Sequence, residues 1–421
     1  MLRKIRLGIL IVLGTVLVSV GVARISGAAF PGLPLPPLSD SLTEAAVRGD
    51  TAGAAAMINR RCRLLLGRER KECFEGALLE LTRQGHVRFA MGVLDRLGQM
   101  DSGIRKFGHD YSHVIGINAW APGKDIGTTY LQCTELFQSG CYHGVIQAVF
   151  AYSGTDSASV AALCSDTPEI NQSAWLRFQC VHGIGHGLLQ TYTMNLPRAL
   201  HGCDMLNNSW DSESCYGGAF MESVINATAP HHPATQLAAQ SHHHMMGGTT
   251  SFKALDPKDP LYPCTIMADR YLHACYQMQT SVMLNLNHGD MGDAAKSCER
   301  APGTVRPVCF QSLGRDITSY TNRDPQKTAD MCNKAAEPYR PSCYFGAAKA
   351  LVDWTATTDA AFKFCGIVGH EPGGPTCYQA LGEEIATLLA GLPEREEQCL
   401  RAQEPQAIVA CRLGAGVPAS R

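Results

Sequence analysis

Apolar residues recur along this chain with the spacing of amphipathic helices. One, four and eight residues after Cys141 stand Tyr142, Val145 and Val149, and the same positions after Cys180 are also apolar. Side chains at this spacing share one face of a helix. Positions three and seven after the cysteine are often small, which indicates that neighbouring helices approach closely there. The pattern predicts an all-α fold.

The segment from Asp324 to Thr355 shows the predicted repeating unit most clearly. Asp324 and Pro325 suit the N-cap and the first turn of a helix. A Glu-Pro-Tyr-Arg-Pro stretch that starts at residue 337 ends this helix, and a second helix is predicted from Ser342 to about Trp354. Each unit is therefore expected to be a helical hairpin.

The cysteines indicate that this hairpin is repeated. In the second half of the chain, the second cysteine of each pair follows the previous one by 34 residues, the length of a helix-turn-helix repeat. These cysteines are Cys275, Cys309, Cys343, Cys377 and Cys411.

All 18 cysteines fall into nine local pairs. The pairs are Cys62 with Cys73, Cys133 with Cys141, Cys164 with Cys180, Cys203 with Cys215, Cys264 with Cys275, Cys298 with Cys309, Cys332 with Cys343, Cys365 with Cys377, and Cys399 with Cys411. We predict an α/α superhelical solenoid of about ten hairpins of about 34 residues, each linked by a disulfide.

Nine disulfides require an oxidising compartment, so the protein is expected outside the cytoplasm, in the periplasm or at the cell surface. The alternative, zinc ribbons, needs Cys-x-x-Cys spacing, which the sequence lacks. In its general form, disulfide-linked helix pairs in an exported chain, the protein resembles the cysteine-rich subset of Sel1-like repeat proteins. This resemblance concerns architecture, and it implies no functional residues.

The N-terminus agrees with export. Arg3, Lys4 and Arg6 precede an uncharged run over residues 7–23, as in a signal peptide or a signal-anchor helix. We assign residues 1–28 to this helix and residues 29–40 to a proline-rich linker. Because a stiff linker holds a domain away from a bilayer, we favour an anchor over a cleaved signal, with the membrane as the partner of this helix.

Composition excludes several classes of function. The formal net charge is −2, and no uninterrupted run of more than two lysines or arginines follows the N-terminal segment, so nucleic-acid binding is not expected. The chain contains no phosphate-binding loop, no dinucleotide-binding glycine motif and no nucleophile elbow. Candidate chemistry therefore comes from the histidines.

Histidines occupy corresponding positions in successive repeats. His182 and His186 stand two and six residues after Cys180, and His143 and Gln147 stand at the same two positions of the preceding repeat. These positions lie one turn apart on one helical face. Side chains from neighbouring helices can therefore converge on one centre.

One repeat earlier, the cysteine pair is absent. The sequence from Phe107 to His113 aligns without a gap when Phe107 takes the cysteine position, which places His109 and His113 at the same two positions. We predict a multi-histidine metal site for copper or zinc, then iron. Its ligands are His109, His113, His143, His182 and His186.

Two carboxylates near this register are candidate catalytic bases. Glu222 stands seven residues after Cys215, and Asp110 follows His109. Either could act on metal-bound water in a zinc hydrolase. If the protein is an enzyme, we favour a copper or non-haem iron oxidase or oxygenase over a hydrolase.

The repeats are interrupted once. Residues 227–258 contain the pairs and triplets His231–His232, His242–His244 and Met245–Met246, and are interpreted as an insertion between N-terminal repeats at 41–226 and regular repeats at 259–421. A lid or a metal-delivery loop is one interpretation, since copper accepts both His and Met. A polar loop without a function is the other.

Three alternatives to a multi-histidine metal-ion site stay open. Solenoids commonly bind proteins along their concave face, so the protein is alternatively a non-catalytic scaffold for a protein partner. Two histidines could ligate a haem, which would be non-covalent because no Cys-x-x-Cys-His motif is present. The histidines could also be hydrogen-bonded structural residues.

Overall fold

Helices form the regular secondary structure of residues 38–153, 162–228 and 252–418, which are the residues that this computed structural model describes. The first α-helices are α1 (Leu38–Val47), α2 (Thr51–Cys62), α3 (Gly67–Arg83), α4 (Val87–Met100), α5 (Ser102–Lys106), α6 (Gly108–Ala119), α7 (Ile126–Tyr130), α8 (Gly140–Ser153), α9 (Ala174–Thr191), α10 (Leu196–Cys203) and α11 (Ser209–Thr228).

After the insertion come α12 (Asp269–Leu286), α13 (Met291–Glu299), α14 (Arg306–Tyr320), α15 (Pro325–Cys332), α16 (Arg340–Asp353), α17 (Asp359–Val368), α18 (Gly374–Leu388), α19 (Leu392–Leu400) and α20 (Pro405–Ala415). Short 3-10 helices span Ile170–Gln172, Cys264–Ile266 and Glu337–Tyr339. The predicted all-α class is confirmed for the described residues.

The predicted hairpin at Asp324 forms as expected. The Asp324 carboxylate accepts a hydrogen bond from the backbone N–H of Lys327 at 3.0 Å, and Pro325 opens α15. Such a cap stabilises a helix by about 1 kcal/mol. Cys332 at the end of α15 is bonded to Cys343 in the first turn of α16, so the disulfide joins the two helices of the hairpin.

The hairpins on either side are cross-linked in the same way. Cys309 in α14 is bonded to Cys298 in α13, and Cys377 in α18 is bonded to Cys365 in α17. In each case the bond runs from the end of a short helix to the first turn of the long helix that follows it. The predicted role of the disulfides in joining helix pairs is therefore confirmed in these hairpins.

All nine predicted disulfides are present, and no cysteine is free. Their Cα–Cα distances lie between 5.5 and 5.9 Å, as ordinary disulfide geometry requires. Each cross-link removes conformational freedom from the unfolded chain, which stabilises the fold by about 3 kcal/mol in the loop-entropy model.

The long second helices of the hairpins pack against one another in chain order. The series of contacts runs through α6, α8, α9, α11, α12, α14, α16, α18 and α20. The shorter first helices flank this series. Residues with the same offset from the start of successive long helices therefore become neighbours.

Reciprocal glycines bring some of these helices unusually close together. A Cβ on Gly346 of α16 would lie 1.8 Å from the carbonyl oxygen of Gln311, and a Cβ on Gly314 of α14 would lie 2.0 Å from the carbonyl oxygen of Cys343. Equivalent contacts join α6 to α8, α9 to α11 and α18 to α20. The predicted close approach at recurring glycines is therefore confirmed in these four helix pairs.

These glycine contacts correct the alignment of α6. Gly185 and Gly314 each stand five residues after a disulfide cysteine, and each faces the cysteine carbonyl of the next long helix. Gly116 makes the same contact from α6. The cysteine position of α6 is therefore Tyr111, and the ungapped alignment on Phe107 is wrong by one helical turn.

Parts of the chain that are distant in sequence also meet. The backbone N–H of Phe137 donates a hydrogen bond to the carbonyl of Trp354 at 3.3 Å, and α9 contacts α18. A cleft of about 660 Å³ lies between these regions, and its lining includes Arg88, Tyr142, Trp175, Thr358 and Arg401. Such contacts are additional to those of an open solenoid, in which a repeat touches only its neighbours.

Among the described residues, no helix is long and apolar enough to span a bilayer. The predicted N-terminal helix of residues 1–28 lies outside the described residues. So do most of the proline-rich linker and, over residues 229–251, most of the His/Met-rich insertion.

Candidate metal centre

The five predicted histidines converge from three consecutive long helices. His109 and His113 lie on α6, His143 on α8, and His182 and His186 on α9. All five are buried, with at most 8% of any residue exposed. Neighbouring rings of the cluster have centroids 4.5 to 5.8 Å apart. Tight packing of α6 on α8, and of α9 on α8, brings the rings together.

The corrected alignment explains which rings are equivalent. His113, His143 and His182 all stand two residues after the cysteine position of their helix, and His109 lies one turn before His113. His186 lies one turn after His182. The cluster therefore contains the position that the three helices share, the residue one turn before it on α6, His109, and the residue one turn after it on α9, His186.

Potential ligand atoms within this cluster are close enough to share an ion. Three groups each place their candidate atoms within 4.8 Å of one another, and these groups overlap. They are His109/His113/His143, His143/His182/His186 and His113/His186/Glu222. Because His143 belongs to two groups and His186 to two, the cluster forms one continuous set of donors.

His109 and His113 point unprotonated nitrogens at each other. His109 Nδ1 lies 2.8 Å from the Phe137 carbonyl oxygen, which can only accept, so this nitrogen carries the proton. The side-chain N–H of Gln147 donates a hydrogen bond to the Glu222 carboxylate. In this orientation Gln147 Oε1 lies 2.8 Å from His113 Nδ1, so this nitrogen carries the proton. In the neutral rings, both Nε2 atoms then present lone pairs, and these atoms are 3.0 Å apart.

That separation suits two ligands of one ion. Imidazole nitrogens bind zinc at about 2.0 to 2.1 Å, so two nitrogens about 3 Å apart subtend an angle of roughly 90° at the metal. Without a cation or a shared proton, the two lone pairs repel each other. The arrangement of His109 and His113 therefore fits a positive charge between their Nε2 atoms.

The other three histidines each carry a buried nitrogen that forms no hydrogen bond among the described residues. These atoms are Nδ1 of His143, Nδ1 of His182 and Nε2 of His186. The opposite nitrogen of His143 lies 2.9 Å from Gln179 Oε1, and that of His186 lies 2.7 Å from Glu222 Oε2. A buried polar atom without a partner costs about 1 to 3 kcal/mol, which a coordinated metal ion would remove.

Burial keeps these rings neutral. Desolvation lowers the pKa of His109 below its ordinary value, although hydrogen bonding to the Phe137 carbonyl opposes the shift. Desolvation, reinforced by neighbouring histidines, holds the pKa of His143, His182 and His186 well below the usual range. Neutral imidazole is the form that binds metals.

Glu222 on α11 orients ligands from two other helices. Its Oε2 accepts hydrogen bonds from His186 Nδ1 at 2.7 Å and from Gln147 Nε2 at 3.3 Å, and its Oε1 accepts one from Gln190 at 3.2 Å. Because Gln147 donates to this carboxylate, its oxygen faces His113 Nδ1. Glu222 therefore also determines which nitrogen of His113 carries the proton. A carboxylate behind a ligating histidine is a common partner in metal sites. The sequence-based role of a catalytic base stays a prediction.

Asp110 is buried beside the cluster but belongs to none of the three potential ligand groups. Burial raises its pKa to about 7, while Lys71 on α3 opposes the shift and the charges of Glu222 and Glu75 add to it. Its predicted catalytic role is untested by this geometry.

A strained turn supports His109. Phe137, Gln138 and Ser139 have φ angles of 56°, 53° and 60°, a left-handed conformation that costs roughly 1 to 2 kcal/mol per non-glycine residue. The turn presents the Phe137 carbonyl to His109. Such strain often occurs at functional sites. Sequence reasoning missed this acceptor, since a backbone carbonyl has no residue-type signal.

The regular C-terminal repeats use charged pairs at the positions that carry site residues in the N-terminal repeats. Lys349 stands six residues after its cysteine, as Gln147 does, and its ammonium lies 2.8 Å from Glu384 and 3.2 Å from Glu383. None of the three potential metal-ligand groups found among the described residues lies in these repeats.

Fold and site together define a disulfide-linked, all-helical protein with a buried histidine cluster that could hold a metal ion. Its nine disulfides indicate an oxidising, extracytoplasmic location. Comparisons of the chain with protein-family models, with curated proteins and with solved structures find no match.

Proposed function

We propose that this protein is an extracytoplasmic metalloprotein that binds a transition-metal ion through His109, His113, His143, His182 and His186. One observation supports the proposal above all. The rings of His109, His113, His143 and His186 each have one nitrogen held by an acceptor oxygen, and three of the five rings leave a buried nitrogen without a hydrogen bond among the described residues.

A purely structural histidine network is less well supported. The three unsatisfied nitrogens of His143, His182 and His186 would each cost about 1 to 3 kcal/mol. The facing Nε2 atoms of His109 and His113, 3.0 Å apart, would need a shared proton. Structural networks in proteins generally satisfy their members, whereas a metal ion could take up the nitrogens of His143, His182 and His186 that form no hydrogen bond among the described residues.

The donor set favours copper or zinc, then iron. Imidazole suits these three metals. Glu222 is the single carboxylate in the three potential ligand groups, which argues against magnesium or calcium, since these prefer oxygen ligands. All cysteines are in disulfides, so no thiolate is available to select Cu(I) or a cluster. Haem is less well supported, because neighbouring rings of the cluster have centroids only 4.5 to 5.8 Å apart, whereas two rings on opposite faces of a haem would have centroids roughly 6 Å apart.

If the protein is an enzyme, we favour an oxidase or oxygenase over a zinc hydrolase. A hydrolase needs a base that is free to take a proton from water. Both oxygens of Glu222 already accept hydrogen bonds from His186, Gln147 and Gln190. Asp110 lies outside the ligand groups. We also propose that the N-terminal helix anchors the protein in a membrane.

Elemental analysis and the optical spectrum of the full chain, kept oxidised and purified without chelator, test the metal proposal. We expect about one equivalent of copper, zinc or iron, and its loss in His182→Ala/His186→Ala. His273→Ala/His288→Ala is the matched control, since these histidines lie elsewhere. A third variant, His242→Ala/His243→Ala/His244→Ala, tests the insertion and should retain the metal. Metal-free wild-type protein, or retention of the metal in the first variant, would contradict the proposal.

A further inference from the structure

The loop between α2 and α3 exposes two leucines at its tip. Leu64 is 79% exposed and Leu66 is 81% exposed. Leu65 between them is partly buried. The Cys62–Cys73 disulfide closes the base of this hairpin. The leucines therefore project from a covalently fixed loop, and we call residues 60–66 the Leu-Arg tip.

Unpaired arginines surround the two leucines. Arg60, Arg61 and Arg63 are exposed, and within the described part of the chain none of them forms an ion pair. By contrast, Arg68 pairs with Glu72, and Arg70 pairs with Asp101. The tip thus combines protruding apolar side chains with three arginines that form no ion pair among the described residues.

This combination fits an anionic lipid surface. Leucine side chains enter the boundary between headgroups and acyl chains, while guanidinium groups bind lipid phosphates. Clustered arginines are also attracted to the negative potential of an anionic leaflet. A protein groove would need a cavity that matches a protruding tip, whereas a bilayer accepts two exposed leucines without a specific shape.

The position of the tip in the chain agrees with such a surface. The tip follows α1, which begins at Leu38, shortly after the predicted membrane helix and its linker. An extended linker of about ten residues reaches roughly 30 Å, so an anchored chain would keep α1 to α3 near the bilayer. The exposure and charge of the tip do not depend on the anchor.

We propose that the Leu-Arg tip inserts Leu64 and Leu66 into an anionic membrane surface, where Arg60, Arg61 and Arg63 bind the headgroups. Insertion fixes one end of the helical array against the bilayer. The proposal is independent of the metal centre.

Fluorescence quenching in vesicles tests this proposal. The full chain carrying Leu66→Trp is reconstituted into phosphatidylglycerol vesicles with brominated acyl chains, and its quenching is compared with that of the unsubstituted chain, which has four tryptophans. The matched control is Leu413→Trp. Leu413 is 69% exposed, but the neighbouring Arg412 is paired with Glu396. We expect additional quenching for Leu66→Trp and none for Leu413→Trp.

A second set of measurements separates insertion from adsorption by the N-terminal helix. In the Leu66→Trp background, Arg60→Gln/Arg61→Gln/Arg63→Gln should abolish the additional quenching, as should phosphatidylcholine vesicles. The proposal is overturned if Leu66→Trp is quenched no more than Leu413→Trp. Equal quenching in both lipids would also overturn it, because the arginines would then have no role.

Discussion

Glu222 and His186 are joined across two helices by a hydrogen bond of 2.7 Å from Nδ1 of the ring to the carboxylate. Both side chains are almost completely buried. The bond fixes the proton on Nδ1, so Nε2 of His186 is left with a lone pair and without a hydrogen bond among the described residues. A buried carboxylate on α11 therefore sets the chemistry of a ring on α9.

Glu222→Gln should weaken metal binding while preserving side-chain volume. Loss of the orienting carboxylate behind a ligating histidine typically reduces metal affinity by about 10- to 100-fold. Competition titration with a chromophoric chelator measures the effect. The control is Glu383→Gln, which removes a carboxylate from the Lys349 ion pair and should leave affinity unchanged. Equal affinity in both variants would show that Glu222 does not orient the ligands.

The metal-free protein should lose stability as pH falls below 7. The pKa of His143, His182 and His186 is well below the ordinary value in the folded state, whereas the unfolded chain takes up protons near pH 6.5. Below that pH the unfolded state binds more protons than the folded state. The stability contributed by the neutral rings is therefore fully present above the pKa of the unfolded chain, and it decreases as pH falls toward 5. Chemical denaturation with disulfides intact measures it, and His143→Gln should show a shallower pH dependence.

Asp110→Asn should stabilise the protein above pH 7. Burial raises the pKa of Asp110 to about 7. Its contribution to the free energy of unfolding is therefore fully present below its pKa in the unfolded chain, near 4, and is lost as pH rises through about 7. Removing the buried charge should raise the free energy of unfolding at pH 8 by about 2 kcal/mol, with less effect at pH 5. Unchanged metal content would separate Asp110 from the ligands. A stabilisation by Asp110→Asn that is smaller at pH 8 than at pH 5 would refute this reasoning.

The reciprocal glycine contacts should tolerate no side chain. Gly346→Ala would place a Cβ 1.8 Å from the Gln311 carbonyl oxygen, and overpacking of this kind costs about 1 to 3 kcal/mol or more. Gly366→Ala is the matched control, because a Cβ there would meet no atom within 4 Å apart from the local backbone of its own helix, and alanine favours a helix by about 0.5 to 1 kcal/mol over glycine. Thermal denaturation should move the two variants in opposite directions.

Sequence periodicity predicted much of this architecture because helical repeats are local. The hairpins, their caps and all disulfide pairs follow from short-range spacing, and the convergence of His143 and His182 follows from their equal offsets from a cysteine. The position of His109 was misaligned, since the 34-residue interval does not hold between α6 and α8.

Other features depend on the three-dimensional arrangement of distant segments. The contact of Phe137 with Trp354 joins segments that are far apart in the sequence, which no single repeat encodes. Gln179 and the Phe137 carbonyl hold the protons of His143 and His109, and nothing in their sequence positions marks them as acceptors. The carboxylate partner of His186 could be proposed only as a nearby base.

Two disulfide cysteines stand directly beside the histidine cluster in sequence: Cys141 precedes His143 by two residues, and Cys180 precedes His182 by two. The helices that carry these rings are therefore fixed by cross-links that form only after export. In the proposed metalloprotein, oxidation would therefore come before metal loading. The identity of the bound ion would then follow from what is supplied outside the cytosol, and a reducing environment would release it by loosening the helices.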